Sequence, residues 1–142
     1  MTLHPEVLAE LIGEEVLVAR DRLAGRAHTV EAVDGFVYCM FEIPSGRYRL
    51  RLDCRDYDAE PPRLAVVDDN DHPLPGDRWP PGLLYSSVPL HPVLDAPWAC
   101  VRGTFEYHCY PGHTGGDDAW DIHRTDLRIP DLLSHLLQRC GR

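Results

Sequence analysis

The sequence predicts an α+β domain, an antiparallel β-meander with one helix before it and one after it. Three observations predict it. Apolar residues recur at helical spacing near both ends of the chain, two-residue alternation runs through its middle, and turn residues separate the alternating stretches. A chain of 142 residues suits one hydrophobic core, so a single domain over residues 1–142 is expected.

The first helix is expected over Pro5–Leu23, where Val7, Leu8, Leu11, Ile12, Val16 and Val18 or Ala19 fall at roughly helical spacing. Pro5 suits its first turn, Glu6 and Glu10 its positive end, Arg20 and Arg22 its negative end, and Gly25 its stop. Phe36–Ile43 is aromatic and β-branched, and Pro44-Ser45-Gly46 is a turn signal. Tyr48, Leu50, Leu52 and Cys54 then alternate with Arg47, Arg49, Arg51 and Asp53, which buries one face of a strand and wets the other. The three arginines read as a solvated face, with an acidic partner as the alternative. Arg63–Val67 reads as another short strand. Residues 68–92 are rich in Asp, Pro and Gly and read as a long ordered loop anchored by Trp79 and Tyr85. Cys100–Tyr110 reads as extended, broken by Pro111-Gly112 and Gly115-Gly116. Ile129, Leu132, Leu133, Leu136 and Leu137 mark the closing helix, with Pro130 near its first turn and Gly141 past its end.

The net charge of −9 disfavours nucleic-acid binding, which wants a basic surface. No apolar run approaches the ~20 residues needed to span a bilayer, so no membrane partner is expected. Met1-Thr2-Leu3-His4-Pro5-Glu6 lacks a basic flank and a small-residue cleavage site, so no signal peptide is expected. Five cysteines, an odd number without compact spacing, argue against a disulfide framework and for a reducing cytoplasm. Every basic residue is arginine. Codon bias accounts for that; the sharper alternative is avoidance of acceptor amines.

The chemistry concentrates between Cys100 and His123. Cys100, Glu106, His108, Cys109, His113, Asp117, Asp118 and His123 fall in this one run. On a strand, Glu106 and His108 point to the same side with Cα atoms roughly 6–7 Å apart, so both reach one ion. His113 follows across a Pro-Gly turn, and Cys100 stands at the start of the stretch. Cys100, Glu106, His108 and His113 are therefore the candidate metal ligands, with His123 and Asp118 in reserve. Mixed sulfur, nitrogen and oxygen donors favour Zn2+, with other divalent transition metals open. Four ligands would close a structural shell. Three would leave a position where bound water is activated, with Glu106 as base. Cys109 faces away from His108 on a regular strand and is left out, while Cys39, Cys54 and Cys140 fall in apolar periodicity and are expected in the core.

Two stretches carry a resemblance. Asp56-Tyr57-Asp58-Ala59-Glu60-Pro61-Pro62, after the alternating strand, resembles the D-Y-P-x-x-P-P turn of ubiquitin-conjugating enzymes. His91-Pro92, with Cys100 eight residues after the proline, resembles their His-Pro-Asn motif and downstream cysteine. Trp120 and the stretch 127–137 resemble the tryptophan and helix beyond that cysteine. The resemblance covers Pro5 to Gln138 and implies a ubiquitin-conjugating-enzyme-like (RWD-like) scaffold. Val93 departs from it, replacing the asparagine that stabilises the oxyanion, and such a donor is worth about 100–1000-fold in rate. The Cys100, Glu106, His108, His113 pattern with Trp120 is also similar to a bacterial metal-binding family named for its Cys, Glu, His and His residues. That family is associated with ubiquitin-like conjugation operons. The resemblance implies a metal-binding domain in such a pathway, with a ubiquitin-like protein or its activating enzyme as partner. The alternatives are a conjugating enzyme using Cys100 as thioester carrier and a non-catalytic interaction module.

Overall fold

A computed structural model of the chain describes residues 3–141. Helix α1 (Pro5–Arg22) leads into strands β1 (Thr29–Val33), β2 (Phe36–Ile43), β3 (Gly46–Asp53) and β4 (Arg63–Val67), which pair antiparallel in chain order. One-turn helices α2 (Phe105–His108) and α3 (Trp120–His123) precede the closing helix α4 (Ile129–Arg139). The architecture is α+β. Among the described residues no helix is long and apolar enough to cross a membrane.

Hairpin chemistry sets the register of the sheet. Val33 pairs with Phe36 across Asp34-Gly35, whose φ angles of 49° and 85° suit a two-residue type I′ turn. Gly35 is required twice over, because a Cβ there would lie 2.8 Å from Arg55 Cγ. The same register sets Val37 opposite Leu52, Cys39 opposite Leu50 and Phe41 opposite Tyr48. Leu8, Ile12, Val16 and Ala19 of α1 and Ile129, Leu132, Leu133 and Leu136 of α4 complete this core. The other sheet face carries the arginines, and they are used within the chain. The Arg49 guanidinium lies 4.1 Å from the Tyr38 ring centroid, and Arg51 Nη1 is 3.3 Å from Asp71 Oδ1.

The structure differs from expectation in three elements. Strand β1 buries only Val30, so it carries no alternation to read. Val7 and Val18 of α1 are half exposed, because the helix buries a narrower stripe ending at Ala19. The expected extended stretch Cys100–Tyr110 contains a helical turn, α2.

One buried polar network ties the two long helices to the turn after β3. Glu15 Oε2 accepts the Arg128 Nη2 and Nε donors, and Glu15 Oε1 accepts the Tyr57 hydroxyl at 2.8 Å and the Ile129 amide at 3.0 Å. Arg128 Nη1 donates to Asp58 Oδ2 at 2.8 Å and to the Arg124 carbonyl at 2.9 Å. Burial and the Glu15 carboxylate push the Tyr57 hydroxyl well above the usual tyrosine range. Removing one partner strands the others in a buried setting. Glu15→Ala is expected to destabilise the fold by about 3 kcal/mol in urea unfolding. A loss under about 1 kcal/mol would show that the network contributes only as a surface pair does.

Candidate functional site

The loop after the meander is organised around His91, which is 1% exposed. Its Nε2–H donates to the Glu106 carbonyl at 2.8 Å, and Nδ1 accepts the Val93 and Leu94 amides at 3.1 and 3.2 Å. The His91 amide donates to Ala96 O, and Asp95 N donates back to His91 O, both within 2.9 Å. These bonds close a tight turn over residues 91–96. The ring packs edge-on against Trp98 at 4.9 Å, and Trp98 stacks on Tyr110 at 4.9 Å. Both imidazole nitrogens of His91 are spent on backbone, so the ring acts as a fastener.

Helix α2 begins at Thr104, whose side-chain oxygen accepts the Tyr107 amide at 3.1 Å. Residues two apart on a helix lie about 200° apart around its axis, which separates the two side chains expected to converge. Glu106 turns toward the sheet and its Oε1 accepts the Leu64 amide at 2.8 Å, capping the outer edge of β4. His108 turns the other way. Its Nδ1 donates to the Asp118 carbonyl at 2.7 Å, and its Nε2 accepts the Gly103 amide at 3.1 Å. Gly103 adopts φ +105°, the left-handed conformation that glycine favours. Burial pulls the His108 pKa down, which favours the neutral ring this bonding needs.

The remaining candidates make contacts of their own, the His123 ring centroid lying 6.2 Å from that of His108. Cys100 is half-buried, and burial pushes its thiol pKa up against the opposing Arg139 charge. The His113 ring stacks on Tyr107 at 4.1 Å, and its Nδ1 is buried without a hydrogen-bond partner among the described residues. Of the reserve ligands, Asp118 Oδ1 accepts the Tyr107 hydroxyl and Arg102 Nη2, both at 2.8 Å. His123 Nε2 donates to the Asp117 carbonyl. Cys109, set aside from the sequence, has its Sγ 3.6 Å from His91 Nε2 and 3.7 Å from the Glu106 carbonyl oxygen. Cys39 and Cys54 are fully buried, and Cys140 partly so.

Among the described residues no three His, Cys, Asp or Glu side chains gather closely enough to hold one metal ion. Where a strand would set Glu106 and His108 on one side, the Thr104-capped turn stands instead. One of the four donors, His113 Nδ1, is buried and unpartnered. The Glu106 Oε1 and His108 Nε2 lone pairs are already engaged by amides. This arrangement does not fit a single Zn2+. The signal for the turn was Thr104 with an acidic residue two positions on, a helix-start pattern. The sequence matches no family model, and no curated protein matches it.

Glu106 carries a pH consequence. Burial raises its carboxyl to about 7, against about 4.3 in an unfolded chain. As pH rises from about 4.3 to 7 the unfolded state loses this proton while the folded state keeps it, so folding stability falls through that window and levels above it. Glu106→Gln keeps an oxygen acceptor for Leu64 and removes the titration. The stability difference between wild type and Glu106→Gln is expected to move by about 3 kcal/mol between pH 4.5 and 7.5, wild type losing ground as pH rises. Parallel stability curves would mean that the carboxyl is solvated like an ordinary surface glutamate.

Proposed function

We propose that the chain is a non-catalytic docking domain on a ubiquitin-conjugating-enzyme-like scaffold, acting in a bacterial ubiquitin-like modification pathway. The partner is the pathway's ubiquitin-like protein or its activating enzyme. The observation that carries the reading is the His91-Pro92 turn. It follows a helix and a four-stranded meander, precedes Cys100 and a closing helix, and is held by an imidazole whose two nitrogens both bond backbone.

Two features favour docking over catalysis. A thioester attack develops negative charge on the carbonyl oxygen and needs a donor there. Val93, 61% exposed, offers no side-chain donor at the position the resemblance gives to asparagine. A carrier thiol must also reach its thiolate form, and burial works against that at Cys100. Docking needs neither a thioester at Cys100 nor a bound metal.

The test mixes the full chain with the pathway's ubiquitin-like protein, its activating enzyme and ATP, followed by non-reducing gels and intact mass. The expected result is a non-covalent complex, no reducible adduct on Cys100, and unchanged partner affinity in Cys100→Ala. A dithiothreitol-sensitive adduct that disappears in Cys100→Ala would replace docking with a thioester carrier.

A further inference from the structure

A groove of about 430 Å³ opens between the segment following Cys100 and the outer side of α4. Arg102 lines it from the loop, and His135, Gln138 and Arg139 line it from α4. Those three α4 positions stand at i, i+3 and i+4, so they share one helix face. His123 also lines it. Val101 and Leu127 supply apolar contact, and Asp126 is the one carboxylate of the lining.

The charge pattern runs against the rest of the chain. With 23 carboxylates to 14 arginines, acids are plentiful, yet among the described residues Arg139 forms no ion pair. Asp126 lines the same groove and pairs with neither arginine. Arg102 donates to Asp118 Oδ1 through Nη2 at 2.8 Å, which steadies the guanidinium and uses one of its five N–H donors. A cation in the last turn of α4 is favoured by the helix dipole. That effect explains Arg139 alone and does not bring Arg102 to the same groove from another segment.

We propose that this groove is a binding site for a phosphate-class oxyanion, held by Arg102 and Arg139, with Gln138 and His135 as further donors. Two guanidinium forks and an amide offer more donors than the two oxygens of a carboxylate accept, and a tetrahedral phosphate group accommodates them. The site stands independently of the docking function proposed above.

The experiment titrates inorganic phosphate into the ¹⁵N-labelled full chain at constant ionic strength, with acetate as the second arm. Saturable shifts at Arg102, Gln138 and Arg139 are expected with phosphate, and at least tenfold weaker binding with acetate. Arg139→Ala and Arg102→Ala are each expected to weaken phosphate about tenfold, the scale of one charge-assisted hydrogen-bond set. Asp126→Asn removes the opposing charge and is expected to tighten it. Arg47→Ala, on the far sheet face, leaves it unchanged. Linear shifts of equal slope for both anions would overturn the proposal, as would a phosphate affinity indifferent to Arg139→Ala in a variant with an unaltered spectrum elsewhere.

Discussion

Glu106 joins segments that are far apart in sequence. Its side-chain carboxyl accepts the Leu64 amide from the outer edge of β4, and its backbone carbonyl accepts the His91 Nε2–H from the His-Pro turn. A helix of one turn has no stability of its own in water, so α2 exists because such bonds hold it. The Phe105 amide donating to Pro62 O at 2.8 Å adds a further tie to the entry of β4. Each bond satisfies a polar group that would otherwise be buried alone, at a cost of about 1–3 kcal/mol. The rest of the candidate region follows from this fastening: the direction of His108, the stacking of Tyr107 on His113, and the closure of the 91–96 turn.

The same fastening decides the chemistry. A general base or a metal ligand needs a lone pair free to act. His91 and His108 have given theirs to backbone amides, and Glu106 Oε1 has given one to Leu64. The most reactive side-chain types in the chain thus serve as internal ties, while the sheet arginines close on Tyr38 and Asp71. At Cys100, burial also holds the thiol pKa up.

The sequence showed the frame well. Strands β2 to β4 and both long helices were legible because each repeats a buried residue at a fixed period, as with Leu50 and Leu52 or Ile129, Leu132, Leu133 and Leu136. Strand β1 was not, since it lies at a sheet edge with one inward side chain. The backbone of the site segment differs from the expected strand for a local reason. Glu106 and His108 point together on a strand and apart on a helix, and four residues between Thr104 and Cys109 are too few for periodicity to choose. The Glu15–Arg128 tie was invisible because its members are 113 positions apart.

The His91 and His108 imidazoles and the Glu106 carboxyl act as structural ties. The most direct test is a long-range ¹H–¹⁵N spectrum of the histidine rings, recorded while Zn2+ is added to the full chain. The expected spectrum shows an Nε2–H form for His91 and an Nδ1–H form for His108, both unmoved through one equivalent of metal. A stoichiometric shift of His108 and His113 together, lost in Cys100→Ala and Glu106→Gln, would contradict it and restore the single-ion arrangement.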